Sequence, residues 1–308
     1  RRSGWIQAIH HPRLAGSAYK RAEEWQSRGA PIKILDERET AAALGTNAYV
    51  GGWLDRRAGC LNPLSYARGL AFAARSAGAE IYEGSRVTSI SRKAPNYVVD
   101  TSEGRVTARN VIMATNAYTR LPVWKIRKSI IPARSFQIAT TRLDDSGQDI
   151  LPGGQVVSDT QNILLYFRRS ECGRLVMGGI GSIQEPTRYS QFNHLYRAVK
   201  GLFPTLRPEY AYHWYGDVAI TPDFLPHLHE PVPGVFCALG YNGRGVAMAT
   251  VLGATLARRV LGESPEELPF PTTQVNAIPL YPIRNLYVAS MRSYYRLKDA
   301  MSPLGGRA

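Results

Sequence analysis

Residues 234–260 read Gly234-Val235-Phe236-Cys237-Ala238-Leu239-Gly240-Tyr241-Asn242-Gly243-Arg244-Gly245-Val246-Ala247-Met248-Ala249-Thr250-Val251-Leu252-Gly253-Ala254-Thr255-Leu256-Ala257-Arg258-Arg259-Val260. The run Gly234 to Leu239 has the unbroken apolar character of a buried strand. Val246 to Val260 predicts a helix, with Arg258 and Arg259 at its C-terminal dipole and Gly262 as its stop. Glycines at 240, 243 and 245 let backbone approach a ligand closely. The helix N-terminus behind them offers unpaired N–H groups and positive potential, which suits an anion or an electron-rich carbonyl. The spacing is G-x-x-G-x-G rather than the dinucleotide order G-x-G-x-x-G, and no acidic residue follows at ribose-ligand spacing. A tight turn using small residues for packing is the plain alternative, and this stretch alone leaves both open.

Working outward, two further helices are sharply bounded. Asp36 with Glu39 three positions later forms a capping box before residues 36–44, and Gly45 is the stop. Asn62-Pro63 opens a helix through Leu64, Leu70 and Ala74, closed by Gly78. Residues 17–29 predict another helix. Ala79–Tyr82 and Arg86–Ile90 read as strands, and Tyr97–Val99 with Val106–Thr107 as a hairpin around Gly104. Val111–Ala114 reads as a strand buried on both faces. From about 123 to 230, short β-like runs dominate (136–141, 155–158, 163–167, 174–177), interrupted by a helix near 189–203. This pattern predicts an antiparallel sheet domain inserted into an α/β frame. Gly178-Gly179-Ile180-Gly181 reads as a strand end, because no apolar-periodic helix follows it.

Composition sets the broad class. The chain has 308 residues, 44% hydrophobic, enough for a sizeable core. Its formal net charge of +14 is spread along the chain, with no run of five or six like charges and no nucleic-acid-binding signature. Specific nucleic-acid binding is therefore not expected. No apolar window reaches membrane-spanning length. The three cysteines, Cys60, Cys172 and Cys237, are widely spaced and suit a reducing cytoplasm. His10, His11, His227 and His229 lack metal-ligand spacing and read as solvated loop residues, with Pro226 and Pro231 bracketing the second pair; no metal is expected.

Taken with other segments, the glycine turn resembles the C-terminal signature of the D-amino-acid oxidase and glycine oxidase superfamily, closest to its γ-glutamylputrescine-oxidising branch. Four further segments resemble the same family in the same order. They are Leu61–Leu70, Val87 after Tyr82–Arg86, Ala114-Thr115-Asn116-Ala117-Tyr118, and Trp214-x-Gly216 followed by Thr221-Pro222-Asp223. The resemblance implies an α/β fold: an FAD-binding domain of the glutathione-reductase type, interleaved with an antiparallel-sheet substrate domain. It implies cofactor portions at 60–122 and 223–275, substrate portions at 1–59 and 123–222, and a tail at 276–308.

It further implies FAD as cofactor, contacted by Val87, Ala114, Thr115, Asn116, Gly240, Gly243, Arg244, Gly245 and Val246. The implied reaction is oxidation of an amine or amino acid C–N bond by hydride transfer to flavin, followed by imine hydrolysis. Tyr166, Arg168, Tyr241 and Arg244 are the candidate catalytic side chains, with Trp214 beside them. Core packing explains Tyr166 and Trp214 equally well, and a surface cation explains Arg168. Sarcosine-oxidising relatives often carry a Lys where this chain has Val246, which slightly favours a polyamine-type substrate. Family members begin with a strand, a G-x-G-x-x-G turn and a helix, and these 308 residues contain no such unit. The expectation is a fragment, a chain completed by a partner subunit, or a non-catalytic remnant, binding FAD weakly by itself.

Overall fold

Asp36 accepts a hydrogen bond from the Glu39 backbone N–H while Glu39 reaches back to the Asp36 N–H, so a helix starts where the capping box sets it. Asn62 Oδ1 likewise accepts from the N–H groups of Leu64 and Ser65 ahead of the next helix. In the computed structural model, residues 1–182 and 184–301 are described. In chain order the strands are β1 (Trp5–Ile9), β2 (Ile32–Leu35), β3 (Gly51–Asp55), β4 (Val87–Lys93), β5 (Asn96–Thr101), β6 (Arg105–Ala108), β7 (Val111–Met113), β8 (Ile131–Arg142), β9 (Val156–Asp159), β10 (Leu165–Arg169), β11 (Arg174–Ile180), β12 (Tyr210–Ile220), β13 (His227–Val232), β14 (Val235–Leu239) and β15 (Thr272–Thr273). The α-helices are α1 (Ala15–Ser27), α2 (Glu37–Leu44), α3 (Pro63–Ser76), α4 (Asn193–Leu202), α5 (Gly245–Val260) and α6 (Arg284–Ala300).

The chain divides into two units, and passes between them just before α3, within β8 and β12, and at the start of α6. The first comprises residues 1–61, 134–216 and 285–308. Its sheet has the order β12-β8-β11-β10-β9-β1-β3-β2. One face is a continuous apolar core of Ile6, Val157, Leu165, Phe167, Met177, Phe136 and Ile138, covered by Leu195, Val199 and Leu202 of α4. The alternation of strand side chains therefore leaves the other face for residues such as Gln7, Ser158 and Tyr166.

The second unit comprises residues 62–133 and 217–284. Its sheets run β15-β13-β14-β7 and β4-β5-β6. All five residues of β14 are buried, and β14 pairs parallel with β7.

Several expectations are corrected. Ala79–Tyr82 forms no strand; Ile81 and Tyr82 are exposed, and no described strand pairs with them. β7 is not covered on both faces: Val111 and Met113 pack into the core, while Ile112 points to the other face and is 45% exposed. His227 and His229 lie on β13 rather than in a loop, and their rings stack at 5.3 Å. Pro231 fits because the β13–β14 register shifts between His229 and Val232. His229, His10 and His11 are buried rather than solvated. The expected tail contains the helix α6, and its residues beyond 301 lie outside the described ones.

Candidate functional site

The parallel pairing of β14 with β7 brings two strand C-terminal ends side by side, and the glycine turn leaves from one of them. In open α/β sheets that edge is where ligands bind. Asn116, just beyond β7, accepts a hydrogen bond from the Gly240 N–H at 3.0 Å, so Ala114-Thr115-Asn116 and Gly240 belong to one cluster. Gly240 itself serves packing: a side chain there would run into Thr221.

Asn242 shapes the rest of the turn. It adopts φ 49°, a left-handed conformation that Asn tolerates better than most residues. Its Oδ1 accepts from the Thr221 N–H at 3.0 Å, and its Nδ2 donates to Thr221 Oγ1 at 3.0 Å and to the Gly240 carbonyl. Asn242 and Thr221 were not singled out as site residues by sequence. The signal was an Asn set between two glycines of a turn.

Beyond the turn the structure is open. Gly243 sits at φ +86°, and a side chain built there meets nothing within 4 Å. Arg244 is the N-cap of α5 yet makes no side-chain capping bond. The first N–H groups of a sixteen-residue helix therefore face outward beside a glycine and an exposed guanidinium. Tyr241 donates to the Ala238 carbonyl at 3.1 Å, and burial pushes its phenol up to about 12, so it stays protonated. Val246 is 49% exposed on the first turn of the helix. Val87 lies in the unit's other sheet, opposite Thr101 on β5.

Tyr166 and Arg168 belong to the first unit and share one sheet face. Register places Trp53, Gln7, Ser158, Tyr166, Gly178 and Gln137 in one row across six strands. Gly178 is the gap in that row: a side chain there would occupy the position of the Tyr166 ring. The ring leans across it, and its hydroxyl hydrogen-bonds the Ser135 hydroxyl on β8. Burial holds the Tyr166 phenol above its ordinary value.

Two indoles orient the rest of the row. Trp53 Nε1 donates to Gln7 Oε1 at 3.1 Å, and Trp5 Nε1 donates to Ser158 Oγ at 2.9 Å. An indole N–H only donates. Both bonds occupy acceptors, leaving the Gln7 amide nitrogen and the Ser158 hydroxyl proton as donors. Arg168, whose Nη1 donates to Cys60 Sγ at 3.4 Å, adds a cation to the same face. Such a surface suits a carbonyl or carboxylate acceptor. Trp214 lies on β12 of this unit and is 39% exposed.

The family profile described as FAD dependent oxidoreductase (DAO) matches residues 1–259. The chain belongs to the FAD-dependent oxidoreductase (DAO) family. It is 33% identical over 273 residues to the probable oxidoreductase OrdL of Rhizobium meliloti, covering 87% of this chain and 63% of that protein. It is 28% identical to γ-glutamylputrescine oxidoreductase of Escherichia coli, covering 98% of this chain and 71% of that protein. In fold it is similar to glycine oxidase from Geobacillus kaustophilus, with a TM-score of 0.76 and 24% identity over 88% of this chain and 74% of that one. The chain spans 63% and 54% of the lengths of the two OrdL proteins it matches.

FAD is the cofactor of this family. The residues of this DAO-family chain fit it: the space at Gly243 and the uncapped α5 N-terminus suit an electron-rich ring edge. Among the described residues no cluster of His, Cys, Asp or Glu is arranged to hold a metal, and no helix is long and apolar enough to cross a membrane.

Proposed function

We propose that this chain carries the flavin turn and the substrate sheet of an enzyme that oxidises the C–N bond of an amine or amino acid. The observation that carries the reading is the open glycine turn at the adjoining ends of β7 and β14. Bound FAD supplies the acceptor for the hydride removed from the carbon next to the amine nitrogen. The α5 N-terminus and Arg244 place positive potential where negative charge gathers. Gly243 and Gly245 give the backbone its close approach, Val246 follows on the first turn of α5, and Gly240, Ala114, Thr115 and Asn116 complete that wall. Val87 contributes from the β4 end of the same unit.

On the substrate side, Tyr166 and Arg168 bind and orient the amine. The oriented donors of Gln7 and Ser158 favour an amine that also bears a carbonyl or carboxylate. γ-Glutamylputrescine, the substrate named for the Escherichia coli relative, has both features and is the first probe amine. The cytoplasmic reading is supported by the three unpaired cysteines.

We also infer that the working protein includes a further strand–glycine turn–helix unit, in the same chain or in a partner. Two surfaces support this. β7 is an edge with Ile112 on it. α3 has no buried residue, and Leu64, Leu70 and Phe72 are 58%, 49% and 75% exposed. Apolar surface of that kind is ordinarily covered.

The test is Gly243→Val in protein carrying a complete FAD-binding domain. A β-branched residue at φ +86° is strained by about 1–2 kcal/mol or more and fills the open space. The expected result is loss of flavin absorbance from the purified variant. Full flavin content, with reduction by γ-glutamylputrescine unchanged, would overturn the placement of the turn.

A further inference from the structure

The connection between β9 and β10 is held by two carboxylates. Asp159, at the root of the loop and 1% exposed, accepts from the N–H groups of Gln161 and Leu165, both at 3.1 Å, and from Gln161 Nε2 at 2.6 Å. Asp299, near the end of α6, accepts from the Asn162 N–H at 3.0 Å and Asn162 Nδ2 at 2.6 Å through one oxygen. Its other oxygen accepts from the Ile163 N–H at 2.7 Å. His10 Nδ1 bonds Thr160 Oγ1 at 2.8 Å from the β1 side. The N–H groups of 161, 162, 163 and 165 thus all end on carboxylate oxygens.

These roles differ in origin. Asp159 is local, whereas Asp299 arrives from 137 residues along the chain. α6 contributes no buried residue to a core, so its attachment here is polar and specific. Charge-assisted bonds to a carboxylate are among the stronger single contacts in a protein. The loop leads directly into Leu165 and Tyr166, and Tyr166 keeps its position by lying across Gly178 to reach Ser135. Asn162 and Ile163 precede Tyr166 by only four and three residues.

We propose that Asp299 is a positioning residue: the C-terminal helix clamps the β9–β10 loop and thereby sets the Tyr166 side chain on the substrate face. The functional weight of this rests on the reading of Tyr166 as a substrate contact. The experiment uses the flavin-loaded protein with site-specific 3-fluorotyrosine at 166. Asp299→Leu removes all three bonds. Asp299→Asn retains the oxygen that serves Asn162 and loses the bond from Ile163, and it keeps the side-chain shape should the leucine variant not fold.

The fluorine resonance is expected to move in both variants, more in Asp299→Leu, with amide exchange at 161–163 accelerated and flavin content unchanged. In anaerobic titration with the same probe amine, Asp299→Leu should weaken apparent binding about tenfold, and adding it to Tyr166→Phe should weaken binding no further, as expected for residues acting as one unit. An unmoved resonance with unchanged exchange in both variants overturns the proposal. If Tyr166→Phe titrates as the unsubstituted protein, the substrate role of Tyr166 fails instead, while the resonance still decides whether Asp299 positions it.

Discussion

Arg244 stands where a helix least favours a cation, at the positive end of α5. It makes no capping bond and is exposed, so the fold draws no evident support from it. The proposed flavin supplies an anionic group for it to face. Arg244→Met in flavin-loaded protein carrying a complete FAD-binding domain is therefore expected to lower the flavin reduction potential and slow reduction by amine, with little change in unfolding. Removing one charge-assisted contact costs about 1.5–3 kcal/mol in the state that uses it. Potentiometric titration of both proteins checks this; an unchanged potential would make Arg244 a surface cation. Single residues were unevenly legible in the sequence. Gly240, Gly243 and Asn116 could be named from their motifs. The pinning of the turn by Asn242 and Thr221 could not, because their partners lie twenty-one positions apart and meet only after β14 has paired.

Elements with local punctuation were readable, and those made by pairing were not. α2, α3 and α5 carry caps, a proline at the first position or glycines at their ends, and each formed where those signals stand. β12 has no regular alternation of buried and exposed residues, and is a strand because it pairs with β8. α6 carries exposed Leu286, Met291 and Leu297 amid basic residues, so no buried stripe announced it. The β9–β10 loop makes its own prediction. Burial pushes the Asp159 carboxyl up to about 7; its hydrogen bonds from Leu165 and Gln161 oppose this, and the Asp299 charge adds to it. Tyr49 also faces Asp159, and His10 faces Asp299. An acid raised in the folded state favours the protonated fold. Its contribution is present at low pH and is lost as pH rises from about 4 through about 7, on the order of 4 kcal/mol at most. Asp159→Asn should flatten that part of the stability profile, seen as a smaller fall in thermal midpoint across this window. Equal slopes for both proteins would show that Asp159 does not titrate there.

At the scale of the molecule, the chain forms two units with separate cores. One bears a donor-lined sheet face with Tyr166 and Arg168; the other bears the glycine turn, Asn116 and the α5 N-terminus. In sequence the change of character is read near residue 123, whereas the chain passes from the second unit to the first between residues 133 and 134. The net charge of +14 is spread over both units and marks no separate nucleic-acid site in sequence. The central claim is that a flavin held at the 240–246 turn accepts electrons from an amine. Its most direct test is anaerobic addition of γ-glutamylputrescine, followed by a panel of amines and amino acids, to the FAD-loaded protein, read by the visible absorbance of the flavin. The account predicts bleaching by at least one of them, abolished together with flavin retention by Gly243→Val. Bound flavin that no amine or amino acid of the panel bleaches would contradict it.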